Sequence, residues 1–288
     1  MNIYDIAKLA NVSIATVSRV VNNSPKVSPK TKEKVLAVMK ENEYTPNAFA
    51  RGLGLGSMKT VGIICPNIDD IYMAKAVSYL ERNLHAHGYD CILGCSGFKQ
   101  EEKEDYVRLL LSKKIDTLIL VGSTYAGNGK DESDTDYIRE AAEQVSIFMI
   151  NAKVSGDNIY CTYADDFQAT YEVTKAFIRR GKEKILFMYD SESYSARQKM
   201  AGYEAALQDA GYPIRGNLKF KTRNDIEYTR DMLLEYNRTL DFDSVLATED
   251  GIAIGAVKYA KIKGLAIPEE LAVAGYNNSI LAISSDPE

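Results

Sequence analysis

The chain has 288 residues, of which 45% are apolar and 26% charged, a balance that excludes collagenous, low-complexity and intrinsically disordered classes. The net charge of −5 is unevenly spread: residues 1–60 carry nine Lys/Arg against four Asp/Glu, so +5, which leaves −10 for residues 61–288. A basic head on an acidic body fits a nucleic-acid reader attached to a part that keeps away from nucleic acid. No apolar run approaches 18 residues and no signal peptide precedes the charged start, so a soluble cytoplasmic protein is expected. Cys65, Cys91, Cys95 and Cys161 read as reduced thiols. The two histidines, His85 and His87, sit too close together near a helix end to complete a zinc site with Cys91 and Cys95.

In the head, apolar residues recur at Ile3, Ile6, Ala7 and Ala10, which is one face of a short helix. Asn2 is placed to cap it, and Asp5 suits the exposed amides of its first turn. After Asn11-Val12, Ser13 can cap a second helix whose inner face carries Val17, Val20 and Val21. Two short helices joined by a tight turn predict a helix-turn-helix, the second helix of which enters the DNA major groove. Ser13, Thr16 and Ser18 offer hydroxyls suited to phosphate oxygens, and Arg19 can reach a guanine edge with a forked contact. Ile14 and Ala15 stand at the end of the helix where base contacts are made. The alternative is a plain helical hairpin with solvated hydroxyls. Ser28-Pro29 starts a third helix running to about Asn42, with Val35, Val38 and Met39 turned inward. Its Lys30, Lys32 and Lys34 either flank phosphates or form a solvated face.

The domain boundaries expected are 1–46 for the head, 47–59 for a hinge, 60–151 for a first lobe and 152–288 for a second. From Thr60 the pattern changes to alternating strands and amphipathic helices. The first series is strand 61–65, helix 72–87, strand 90–95, helix 101–113, strand 116–121, helix 136–144 and strand 146–150. The second opens with strand 159–163 and continues through helix 166–180, strand 184–189, helix 195–210, strand 218–221, helix 226–237, strand 244–247, helix 250–263 and strand 271–274. This predicts an α/β body of two parallel-sheet lobes behind a small all-α head. Ligands in doubly wound sheets sit past the carboxyl ends of the strands. Here those positions are 69–73 with Tyr72, then Ser96, Ser123, Asn151, Glu249, Asp250 and Asn277, a set of polar groups and one flat ring that suits a sugar.

The run Asp5-Ile6-Ala7, Ala10, Val12-Ser13, Thr16-Val17-Ser18-Arg19-Val20-Val21-Asn22, continued through Val27-Ser28-Pro29 and Tyr44-Thr45-Pro46-Asn47-Ala48-Phe49-Ala50-Arg51-Gly52-Leu53, closely resembles the lactose-repressor (LacI/GalR) family of bacterial transcription regulators. The resemblance implies a homodimer on a palindromic operator, with a sensor shaped like periplasmic sugar-binding proteins and controlled by a sugar or sugar phosphate. It adds Asn22, Ser28, Asn47, Ala50 and Leu53 to the candidate DNA contacts, with Leu53 wedged in the minor groove. It places Asn151 and Asn277 where relatives often have a ligand-binding aspartate. Lys199, in the segment that begins at Ser195, stands where relatives usually have a clamping arginine, and lysine lacks the planar fork. The run Gly275-Tyr276-Asn277-Asn278-Ser279 is similar to maltose and other α-glucoside repressors of Gram-positive bacteria. The hinge is too short and too rich in glycine to be helical alone, so the resemblance implies that it folds only on the operator. Relatives continue past the position of Glu288, so a fragment or truncated product with exposed apolar faces is expected.

Catalysis finds little in the sequence. The histidines do not suit a Ser-His-Asp arrangement, Gly129-Lys130 lacks the first glycine of a phosphate loop, and no G-x-G-x-x-G follows the first strand. No enzyme activity, cofactor or metal is expected. A solute-binding protein that hands sugar to a transporter is the alternative from another class, but it would need export and has no use for residues 1–53.

Overall fold

The computed structural model describes residues 1–45, 56–128, 131–236 and 239–288. The candidate hinge contacts Asn47, Ala50 and Leu53, and the Gly129-Lys130 pair, lie outside the described residues.

The head folds from its capping groups outward. Asn2 Oδ1 accepts from the amides of Tyr4 and Asp5 at 2.9 and 3.2 Å, and Asp5 accepts from the Asn2 amide at 2.9 Å, a reciprocal cap that starts α1 (Ile3–Leu9). Asn11 turns the chain at φ 47°, a left-handed position that asparagine tolerates better than most side chains. Ser13 Oγ then accepts from the Thr16 amide at 3.2 Å and opens α2 (Ile14–Val21). Ser28 accepts from the Thr31 amide at 3.3 Å and opens α3 (Pro29–Glu41). Ile6, Ala10, Val17 and Val35 are fully buried where the three helices meet, with Val12, Val21, Val38 and Tyr44 packed around them.

The body holds two parallel sheets. The first is ordered β2-β1-β3-β4-β5, from β1 (Thr60–Cys65), β2 (Asp90–Cys95), β3 (Thr117–Val121), β4 (Ser146–Ile150) and β5 (Ile159–Thr162). Its helices are α4 (Ile71–Ala86), α5 (Gln100–Ser112) and α6 (Asp136–Ala142). The second sheet is ordered β7-β6-β8-β9, from β6 (Ile185–Tyr189), β7 (Lys219–Lys221), β8 (Ser244–Ala247) and β9 (Ala272–Ala274). Around it lie α7 (Asp166–Arg179), α8 (Tyr194–Asp209), α9 (Ile226–Tyr236), α10 (Asp250–Lys263) and the short α11 (Ile280–Ile283). Both faces of the first sheet are covered. Leu118, Leu120, Ile147 and Met149 fill one core, while Val61, Ile63, Ile119 and Val121 fill the other, hence the continuous apolar runs. Gly202 lets α8 lie against α7: a Cβ there would stand 2.2 Å from the Phe167 carbonyl oxygen.

One expected element belongs elsewhere. The strand over Ile159–Thr162, expected to open the second lobe, pairs with β4 and closes the first sheet. The cause is its alternation: Ile159 and Cys161 pack on the first core, while the exposed Tyr160 stacks on Phe148 at 5.0 Å, the two-faced habit of an edge strand. The chain crosses to the second lobe only after Thr162. Short 3-10 turns at Ser123–Ala126, Glu132–Thr135 and Gly216–Leu218, together with α11, have no counterpart in the expected elements.

Asp116 fastens the chain where it enters the first lobe. Its carboxylate accepts from Ser57 Oγ and the amides of Met58 and Thr60 at 3.0, 3.0 and 3.1 Å. Asp116→Ala strands these donors and should cost about 1–3 kcal/mol. A urea denaturation midpoint equal to that of the wild type would show that water replaces the carboxylate without loss. Among the described residues no helix is long and apolar enough to cross a membrane.

Candidate functional sites

The first candidate surface is the outer side of α2. Because Val17 and Val20 face inward, Ile14, Ala15 and Arg19 are left exposed and Thr16 and Ser18 half-exposed. Ile14 is 42% exposed, too open for a residue that serves packing. Ser13 Oγ and Thr16 Oγ1 lie 2.9 Å apart and share one proton between them, so each keeps further capacity toward a phosphate. Ser28 is exposed at the start of α3, and Asn22 sits half-buried at the end of α2. Lys32 donates to Asn23 Oδ1 and so ties the loop before α3 to its first turn, a role other than the phosphate contact or solvated face expected of it.

The second candidate is the cleft between the lobes at the carboxyl ends of both sheets. It has an outer chamber of about 850 Å³ and a deeper recess of about 120 Å³. Tyr72, Glu249 and Asn277 line both, and Ser123, Asn151, Ser195 and Lys199 line the recess, so the structure brings together all seven candidate ligand contacts. Helix starts place many of them. Asp70 caps α4 by accepting from the Met73 amide at 2.9 Å, and Ser193 caps α8, which carries Ser195 and Lys199. Asn151 and Asn277 take φ of 62° and 89°, so the chain turns sharply just past β4 and β9 and leaves both amides at the cleft.

The recess is built around one buried cation. Lys199 is 4% exposed; its Nζ donates to the Thr248 carbonyl at 3.1 Å and lies 3.6 Å from the centroid of Tyr276. Burial lowers its pKa, against the pull of Glu249, Asp166, Asp190 and Asp250 in the other direction. Tyr276 is held in turn by donating its hydroxyl to Asp166. Glu249 accepts from Asn277 Nδ2 at 2.7 Å, and burial pushes its carboxyl up to about 8 despite Lys199. Asp190 is raised as well, again by burial first. Two buried hydroxyls of the recess, Ser195 Oγ and Thr248 Oγ1, have no hydrogen-bond partner among the described residues. Unpaired buried polar atoms and perturbed carboxyls in one hollow are the marks of a ligand site rather than of a core.

Sequence reasoning missed Phe98, Asp190, Asn224 and Thr248 in the lining. Asp190 directly follows β6, so the strand-end rule could have found it. Phe98 and Asn224 stand three residues past β2 and β7, in loops whose course no local pattern fixes. Ser96, named among the strand-end residues, shares a 2.8 Å hydrogen bond with Tyr125 and props the 123–126 turn instead of facing the cleft.

Comparison with known proteins covers nearly the whole chain. Residues 2–47 match the family described as bacterial regulatory proteins, lacI family, and residues 58–284 match periplasmic binding proteins and sugar binding domain of LacI family. An HTH-type transcriptional regulator of Lachnoclostridium phytofermentans is 47% identical over 289 residues, which cover 100% of this chain and 86% of its own. Catabolite control protein A of Priestia megaterium is 30% identical, with 100% and 86% covered. The crystal structure of the lac repressor dimer bound to operator and the anti-inducer ONPF superposes with a TM-score of 0.86 at 22% identity, covering 99% of this chain and 84% of that one.

Proposed function

The chain belongs to the lacI family of bacterial regulatory proteins, and from that premise we propose that it is a cytoplasmic transcriptional repressor that grips a palindromic operator as a homodimer and changes its grip when a saccharide enters the cleft. The observation that carries this reading is the joining, in one chain, of a capped helix-turn-helix with an exposed Arg19 face to a two-lobed body with a polar, incompletely satisfied recess. One head spans half a site, so two-fold symmetry in the protein answers two-fold symmetry in the DNA. In this reading Ser13, Thr16, Ser18, Asn22 and Ser28 hold the phosphates, Arg19 with Ile14 and Ala15 reads base edges, and residues 47–59 link head to body.

The described lobes suggest how the message travels. The cleft lies past the carboxyl ends of the strands, whereas the chain from the head enters at Thr60, held by Asp116. One strand of six residues, about 20 Å at 3.3 Å per residue, separates the two. A ligand that favours one lobe arrangement needs a coupling free energy of only about 1–3 kcal/mol to change operator affinity 5- to 150-fold. Binding alone performs this task, and the relatives named above are regulators rather than enzymes.

Arg19→Ala tests the DNA half of the reading. Operator binding should weaken by about 1–3 kcal/mol, the range for one good base contact, while binding to random duplex is spared. Fluorescence anisotropy with both duplexes at one salt concentration measures the ratio, and equal losses on the two would reduce Arg19 to a phosphate contact.

A further inference from the structure

We propose that Cys65 and Cys95 form a reversible oxidation site, closed into a disulfide by a hydroperoxide, beneath one wall of the cleft. The inference goes beyond the proposed function and holds whatever the cleft binds. The two residues end β1 and β2 and stand directly opposite each other in the parallel register. In-register neighbours on parallel strands share a face of the sheet and lie about 4.8 Å apart, within the Cα separation of about 4.4–6.8 Å that a disulfide spans. Their thiols are already within hydrogen-bonding reach of each other. The other two cysteines are out of range. Cys91 sits four residues back along β2, opposite Val61, about 13 Å from Cys95 at 3.3 Å per residue. Cys161 lies on β5, at the far edge of the sheet, where its thiol donates to the Val154 carbonyl at 3.4 Å.

Exposure divides the roles. Cys95 is exposed at the edge of the sheet, whereas Cys65 is fully buried against Val61, Ile63 and Val121. Burial, with Cys95 and Asp70 nearby, pushes the Cys65 thiol up to about 12, so it stays protonated and Cys95 meets the oxidant. The Cys95 thiolate attacks one oxygen of the hydroperoxide: an S–O bond forms, the O–O bond breaks, and the departing oxygen takes a proton. The Cys65 sulfur then attacks the sulfenic acid: the S–S bond forms, the S–O bond breaks, and the hydroxyl leaves as water with the Cys65 proton. Together the two thiols lose two electrons, which the peroxide gains. Contact between the sulfurs offsets the weak acidity of Cys65, because this second step is intramolecular. The exposed Cys95 sulfur keeps the disulfide open to reduction by two equivalents of a small thiol, as suits a switch in a reducing compartment. Both residues also root the cleft wall. Pro66, Asn67, Asp70 and Tyr72 follow Cys65 in the recess lining, and Phe98 follows Cys95. The Ser96 amide donates to the Cys65 carbonyl at 3.0 Å and the Gly97 amide to the Pro66 carbonyl at 2.9 Å, which ties the two segments together. A disulfide draws its Cβ atoms to about 3.8 Å, about 1 Å closer than the strand spacing, and that pull passes into both segments.

The test is peptide mapping by mass spectrometry of the full chain, reduced, exposed briefly to hydrogen peroxide and then blocked with iodoacetamide. A linked Cys65–Cys95 peptide short of two hydrogens should appear, with Cys91 and Cys161 alkylated, and dithiothreitol should remove it. Cys65→Ala should instead leave Cys95 as a sulfenic acid that dimedone traps, and Cys95→Ser should give neither product, with melting curves confirming that each variant is folded. On oxidation of the wild type, amide exchange in residues 66–73 and 96–98 should change by roughly threefold or more, while residues 1–45 keep their rates. Cys95 that stays reduced, or that links to another cysteine or to a second copy of the chain, overturns the site. A Cys65–Cys95 bond that leaves exchange in both segments unaltered overturns its action on the cleft.

Discussion

Replacing Ile6 with alanine is expected to abolish operator binding and leave ligand affinity in the cleft unchanged. Ile6 is fully buried among Ala7, Ala10, Val17, Val20, Val35 and Met39, and these residues make up the buried core of the head. An isoleucine-to-alanine change in a core costs about 2–5 kcal/mol, because the small neighbours cannot collapse into the space it leaves. A domain of this size rarely holds more than about 3–5 kcal/mol in all, so the loss takes most or all of the head's stability. The two lobes have cores of their own, and none of these head residues belongs to them. Calorimetry should therefore show the lobes' transition at its wild-type temperature. Anisotropy with operator duplex should show specific affinity reduced by at least 100-fold. Operator affinity within threefold of wild type would mean that the head draws its stability from outside its own core.

The head was legible in the sequence because everything that shapes it is local. Asn2, Ser13 and Ser28 each cap the helix that follows within three residues, and the apolar spacing that buries Ile6 and Val17 is read from single helices. The alternation of strands and helices in the body was legible for the same reason. The strand over Ile159–Thr162 was not, since its membership depends on pairing with β4 rather than on its own pattern, and its place in the chain suggested the wrong lobe. In the cleft, the strand-end rule located Tyr72, Asn151 and Glu249. It could not reveal that Lys199 rests on Tyr276, 77 positions away, or that Ser195 and Thr248 turn unpaired oxygens to the same recess. Burial and charge balance are properties of the assembled lobes. No single segment carries them.

Those same properties make the stability of the protein depend on pH in a direction opposite to that of most acidic side chains. Glutamate in an unfolded chain titrates near 4.5, whereas Glu249 in the folded protein is pushed up to about 8. Burial is the main cause, helped by Asp190, Asp70 and Asp250 and opposed by Lys199. Below about pH 4.5 both states hold the proton and Glu249 costs nothing. Between 4.5 and 8 the unfolded chain loses the proton while the folded one keeps it, so stability falls as pH rises, and the full cost persists above 8. At 1.36 kcal/mol per pH unit that cost is at most about 5 kcal/mol, and less in practice because the side chain is partly open to solvent. Glu249→Gln removes the titration and keeps an oxygen that can accept from Asn277. The variant should melt at the wild-type temperature at pH 4.5 and well above it at pH 8, with the gap opening through the interval between. Asp190, raised in the same direction, contributes alike to both proteins and leaves their difference to Glu249. Melting temperatures taken at half-unit steps of pH decide the matter: parallel curves for the two proteins would show that Glu249 titrates as an ordinary exposed carboxylate.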